Sequence, residues 1–147
     1  MNRIQHITGI GLGTAQFAFK DGSREQSIAT VQAALASGVR LIDTALAYTR
    51  LGETSTAESI VHDALADYGA ADDILVATKG GHWRDGDRFP IDASEGALRA
   101  HVDISLRVLG VEALDLYQLH HVDPVTPLEQ SVAVLEQLRS EGKIVQI

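Results

Sequence analysis

Apolar positions along the chain fall into two alternating kinds of run. Short leucine-rich or β-branched runs lie at Ile10 to Gly13, Arg40 to Asp43, Ile74 to Lys79, Leu114 to His120 and Lys143 to Ile147. Between them lie longer segments in which apolar residues recur every three or four positions. The short runs have the continuity of strands buried on both faces, and the long ones predict helices with one apolar stripe. Helix ends are marked by their own chemistry. Ser23 with Gln26 reads as a capping box ahead of Ile28, Val31 and Leu35, and Gly38 supplies the left-handed residue that stops the helix. Ser55 with Glu58 opens a second helix through Val61 and Leu65, and Asp92 with Glu95 a third through Leu98, Val102 and Leu109 to Gly110. Thr126-Pro127-Leu128-Glu129 places an N-cap, a first-position proline and a third-position glutamate ahead of Val132, Leu135 and Leu138, with Gly142 beyond.

Successive strand starts lie roughly 30 to 40 residues apart, the length of a βα unit with a helical crossover. No Pro-, Ser- or Gly-rich linker interrupts the pattern, so residues 1–147 read as one structural unit of about four and a half βα repeats. Right-handed crossovers leave two α/β architectures open, a doubly wound sheet or part of a (β/α)8 barrel.

Composition narrows the ligands. With 147 residues, 45% hydrophobic and 22% charged, the chain has the make-up of a soluble globular protein. A formal net charge of −8 argues against a nucleic-acid or anionic-membrane surface, both of which need clustered Lys and Arg, and leaves small molecules as expected partners. The absence of cysteine removes disulfides, thiolate metal sites and cysteine nucleophiles. The opening Met1-Asn2-Arg3-Ile4-Gln5-His6 lacks a signal-length apolar run, and no stretch approaches the roughly 18 apolar residues of a membrane span, so a cytoplasmic location is expected.

Candidate chemistry gathers at one edge. Asp43, Lys79 and His120 end the second, third and fourth predicted strands, and Tyr48 lies in the loop after the second. Catalytic groups of parallel α/β proteins collect at that rim, because its loops vary freely while the opposite rim serves stability. The bland reading gives Asp43 and Lys79 a buried ion pair and leaves Tyr48 and His120 to satisfy nearby backbone; four polar types on adjacent strand ends favour a site. Phe17, Trp83 and Phe89 fall in loops at the same rim, suited equally to lining a pocket and to capping a core. Gly9-Ile10-Gly11-Leu12-Gly13-Thr14 has Thr14 where the dinucleotide fingerprint needs its third glycine. His120 and His121 are strand neighbours facing opposite ways, with no partners to complete a metal ligand set, so no metal is expected. His6, His62, His82 and His101 are scattered and read as surface residues.

The segments Asp43-Thr44-Ala45-x-x-Tyr48, Lys79-Gly80-Gly81 and Asp115-Leu116-Tyr117-Gln118-Leu119-His120 resemble, in order and spacing, the signature segments of the aldo-keto reductases. The likeness extends from Gly11-Leu12-Gly13-Thr14 to Glu141-Gly142-Lys143-Ile144. It implies a TIM-type (β/α)8 barrel that reduces an aldehyde or ketone with NADPH, less often NADH. In that reading Tyr48 is the general acid, Lys79 stabilises its conjugate base, Asp43 pairs with Lys79, and His120 orients the carbonyl. Gly13, Thr14 and Asp43 would lie at the cofactor, and Phe17, Trp83 and His121 at the substrate; His121 stands where many relatives carry tryptophan.

A full barrel takes about 250 residues, so this chain corresponds to about half of one, with an incomplete cofactor site. Open edges on the first and fifth strands then predict association, either with itself as a homo-oligomer or with a complementing C-terminal half. Alternative expectations are a non-redox isomerase or lyase reusing Tyr48 and Lys79, and an inactive assembly module.

Overall fold

The structure, a computed structural model, describes residues 9–66, 68 and 73–147. In chain order the elements are β1 (Leu12–Gly13), α1 (Gln16–Phe19), α2 (Arg24–Ala36), β2 (Leu41–Asp43), α3 (Thr56–Ala66), β3 (Leu75–Gly80), α4 (Glu95–Leu109), β4 (Leu114–Leu119), α5 (Leu128–Ser140) and β5 (Ile144–Gln146). The five strands form one parallel sheet in the order β1-β2-β3-β4-β5. Each strand pairs with the next one in sequence, and a helix fills every crossover.

The apolar pattern explains the packing. Val31 and Leu35 of α2, Ile60, Val61 and Ala64 of α3, Leu98 and Val102 of α4, and Leu135 and Leu138 of α5 are buried in a cluster with Ile42, Leu114, Tyr117 and Ile144 of the sheet. The helical residues are the apolar stripe positions, packed against the sheet. Ser23 caps α2 as expected, its Oγ accepting from the Gln26 amide at 3.1 Å. Gly110 ends α4 at φ 69°, where a side chain would be strained.

Four local expectations need correction. The first strand is only Leu12–Gly13, and Ile10 is exposed, so its hydrophobicity did not mark a pairing position. A short helix, α1, occupies a stretch with too few turns for a periodic signal. Ser94 rather than Asp92 caps α4; Asp92 Oδ1 instead accepts from the Ser94 amide at 2.9 Å, which orders the approach to the cap. On α5 the N-cap is Pro127 without a side-chain cap bond, because the Thr126 hydroxyl turns to Asp123.

Candidate active site

Strand register sets the rim. Gly13 lies beside Asp43, Asp43 beside Ala77, and Lys79 beside Gln118, so the C-terminal ends of β1 to β4 come together. Lys79 Nζ is 2.7 Å from Asp43 Oδ2, 2.8 Å from the Thr44 carbonyl and 3.4 Å from Tyr48 Oη. An ammonium has three donors, and here each has an acceptor. Its charge also lies 5.0 Å from the Tyr48 ring centroid. Since the phenol oxygen accepts from Lys79, its own O–H is free to donate elsewhere. The Asp43–Lys79 pair predicted as the bland alternative is thus present, but it reaches Tyr48.

His120 meets Tyr48 edge-on, with ring centroids 5.6 Å apart at 85°. Its own amide donates to the Gly80 carbonyl at 2.9 Å, tying the end of β4 to β3. Burial, then the neighbouring His82 and Lys79, push its pKa down to about 4. The imidazole is therefore neutral at pH 7 and offers one N–H without a positive charge. His121 stacks on His120 at 4.8 Å and 5°, and His82 packs perpendicular to both, at 5.0 Å from His120 and 4.6 Å from His121. His82 is held by the Pro90 carbonyl, 3.0 Å from Nδ1, and burial lowers its pKa.

Sequence reasoning missed several parts of this wall. Phe19 packs on Tyr48 at 6.2 Å and on Phe89 at 6.1 Å, and Phe89 packs on His82 at 5.7 Å. The rings Tyr48, Phe19, Phe89, His82 and His120 thus close a circuit in which each touches the next. Arg50 fixes the approach of α1, its guanidinium donating to the carbonyls of Phe17 and Gly22 at 2.9 and 2.8 Å. For His82 a signal existed, since it follows Lys79-Gly80-Gly81 at a strand end; for Phe19 and Arg50 there was none.

Other predicted residues lie elsewhere. The Phe17 side chain packs against the hydrophobic core, and only its carbonyl faces Arg50. Trp83 packs on His101, at 5.0 Å and 52°. His101, expected at the surface, is 6% exposed, and its Nδ1 accepts from the Gly81 amide at 3.1 Å. His82 likewise proves half-buried, whereas His62 is exposed; His6 lies outside the described residues.

Thr14 is fully buried with its amide and hydroxyl both donating to the Asp43 carbonyl, at 3.0 Å each. Its side chain holds β1 to β2. The adjoining space is open: a Cβ added at Gly13 would meet nothing within 4 Å. At the end of β4, Gln118 Oε1 and His120 Nδ1 are enclosed without a protein partner among the described residues. The open margin at Gly13 leaves room for a planar ring, and the orphaned polar atoms at the end of β4 leave hydrogen bonds for a bound group to make.

The opposite face of β3 carries a second polar group of residues. Glu58 of α3 is fully buried and accepts from the Ser55 and Thr78 hydroxyls, each at 2.5 Å. No cation is among the partners found for it, and burial raises its pKa despite those hydroxyls. Beside it Tyr117 is fully buried, its Oη lacking a partner among the described residues, and burial together with the Glu58 charge raises the phenol's pKa. A Cβ at Gly80 would stand 1.8 Å from that Oη, so only glycine leaves room for Tyr117.

Fold and rim together define a class: a parallel (β/α) sheet forming part of a barrel, with a Tyr–Lys–Asp–His set of polar side chains at the C-terminal ends of its strands. The sequence profile of the aldo/keto reductase family matches residues 9–147, and the chain belongs to that family. It is 38% identical over 139 residues to the aldo-keto reductase YhdN of Bacillus subtilis, a match covering 92% of this chain and 40% of that protein. It is 32% identical to the methylglyoxal reductase YeaE of Escherichia coli, covering 94% and 43% respectively. Among solved structures, the holo form of AKR11C1 from Bacillus halodurans superposes with a TM-score of 0.80 at 28% identity, over 92% of this chain and 43% of that one. An aldo/keto reductase from Klebsiella pneumoniae in complex with NADP and acetate gives 0.73 at 32% identity, over 92% and 42%. The chain thus spans about two-fifths of the length of these relatives.

Proposed function

We propose that the site serves NADPH-dependent reduction of a small aldehyde or ketone, with Tyr48 as the general acid. The observation that carries this reading is the threefold engagement of Lys79 by Asp43, Thr44 and Tyr48. Lys79 donates to the phenol oxygen, so the Tyr48 proton is directed outward toward a bound carbonyl. Once that proton is given up, the ammonium 3.4 Å away stabilises the phenolate. Asp43 balances the ammonium and fixes where it points. His120, neutral and wedged between Tyr48 and His121, donates to the same carbonyl oxygen and sets its direction. Gly13, Thr14 and Asp43 form the margin at which the nicotinamide would lie, and the bound dinucleotide supplies the hydride. The relative crystallised with NADP supports that choice of cofactor.

Tyr48→Phe is the direct test, following NADPH consumption with an aldehyde and, separately, NADPH binding. General acid catalysis is worth about 100-fold to 10,000-fold, so turnover should fall by that factor while binding persists. Turnover undiminished in Tyr48→Phe would refute the role of the phenol. Turnover that proceeds without NADPH would instead favour non-redox proton transfer by Tyr48 and Lys79.

A further inference from the structure

The same two loops that form the rim also enclose a cleft on their other side, against α4. Its volume is about 460 Å³, within the range of small-molecule sites. Leu46, Ala97, Ala100 and Ile104 make an apolar floor, and Trp83 and His101 make one wall. Tyr48, Lys79 and His120 are not part of its lining.

Two observations give the cleft a chemical preference. His101 is more than nine-tenths buried, and its Nδ1 is occupied as acceptor from Gly81, which places the proton on Nε2. Burial outweighs the nearby Asp92 and keeps the ring neutral. Among the described residues no acceptor engages that Nε2–H. Meanwhile the charges at the mouth are already engaged. Arg84 donates to the carbonyls of Gly86 and Thr49 at 2.8 and 3.1 Å, Glu53 accepts from the Thr56 hydroxyl at 2.7 Å, and Asp92 accepts from Ser94. An aromatic wall, a small-residue floor and one neutral buried donor suit an uncharged flat ring with an acceptor atom.

We infer that this cleft is a second ligand site, separate from the reductase centre, for an uncharged planar aromatic molecule that lies against Trp83 and accepts a hydrogen bond from His101. The ligand would touch Leu46 and Thr49 on one loop and Trp83 and Arg84 on the other, the loops that also carry Tyr48 and His82.

Quinoline, a flat ring with one acceptor nitrogen, is the probe, and naphthalene, the same shape without it, is the control. Trp83 is the chain's single tryptophan, so its indole N–H resonance in a nitrogen-15 NMR titration reports the cleft directly. Saturable shifts of that resonance are expected, with quinoline about threefold to tenfold tighter than naphthalene, the worth of one neutral hydrogen bond. Ala100→Leu, which fills the floor, should weaken quinoline at least tenfold with a spectrum otherwise folded, and Tyr48→Phe should leave it unchanged. Three results would overturn the site: no saturable shift of Trp83, equal affinity for both rings, or binding lost in Tyr48→Phe and kept in Ala100→Leu. None of these depends on reductase activity.

Discussion

Strand β3 separates two polar clusters, one partly buried and one sealed. On one face Lys79 sits in a charge-balanced set with Asp43, open on one side, since the Asp43 side chain is 41% exposed against 13% for Lys79. On the other, adjacent Thr78 faces Glu58, which is sealed and met by hydroxyls alone. Alternation along a strand puts these neighbours on opposite faces. The first cluster pairs its two charged groups and is open to solvent on one side. The second has no ion to offset burial, so its carboxyl leans toward the neutral form. Polarity inside a barrel layer thus takes two forms, a paired charge with an open side and a sealed carboxyl met by hydroxyls alone.

The largest effect should come from closing the sealed side. Gly80→Ala pushes a methyl into Tyr117 Oη, and overpacking of this kind should cost about 3 kcal/mol in urea unfolding. A loss under about 1 kcal/mol would show that Tyr117 moves aside freely. Next, Asp43→Ala strips Lys79 of its anion. The pair is only partly buried, so about 1–2 kcal/mol of stability should go. No measurable loss would mean the pair contributes to positioning alone.

Glu58→Gln tests the contrast from the other side through pH. The folded pKa of Glu58 is raised above its ordinary 4.5, so between those values the folded state binds more protons than the unfolded state. Stability from this group is therefore greatest below pH 4.5 and declines as pH rises through the folded pKa. Glu58→Gln should remove that decline, and identical slopes in both proteins between pH 5 and pH 8 would defeat the assignment. The smallest change concerns His120. An NMR titration should place its apparent pKa near 4, with the ring neutral at pH 7; a midpoint at or above 6.5 would mean that burial, aided by His82 and Lys79, does not hold it neutral.

The sequence was most legible where chemistry is local. Strand ends carrying Asp43, Lys79 and His120 needed only the repeat and the rim rule, and Ser23 capped α2 as its spacing implied. Ser55 and Glu58 show where that logic stops. Their spacing located the start of α3 correctly, yet the Ser55 hydroxyl donates to the Glu58 carboxylate, and Glu58 is sealed against β3. Capping spacing reports helix position, whereas the fate of the acid depends on Thr78, twenty residues away. For Trp83 the sequence left two readings open, and in the structure it packs on His101, since no periodicity encodes which way a loop residue turns. Phe19 escaped because four helical residues carry no readable period.

The strict order of the sheet has a kinetic consequence. Every strand pairs with the one made just before it, so each added βα unit docks on an edge already present and closes only a short loop. Asp43, Tyr48, Lys79 and His120 arise in that same sequence, from β2, the loop after it, β3 and the residue that follows β4. Emerging from the ribosome at about 5–20 residues per second, the chain can bring these four side chains together in the order in which they are synthesised.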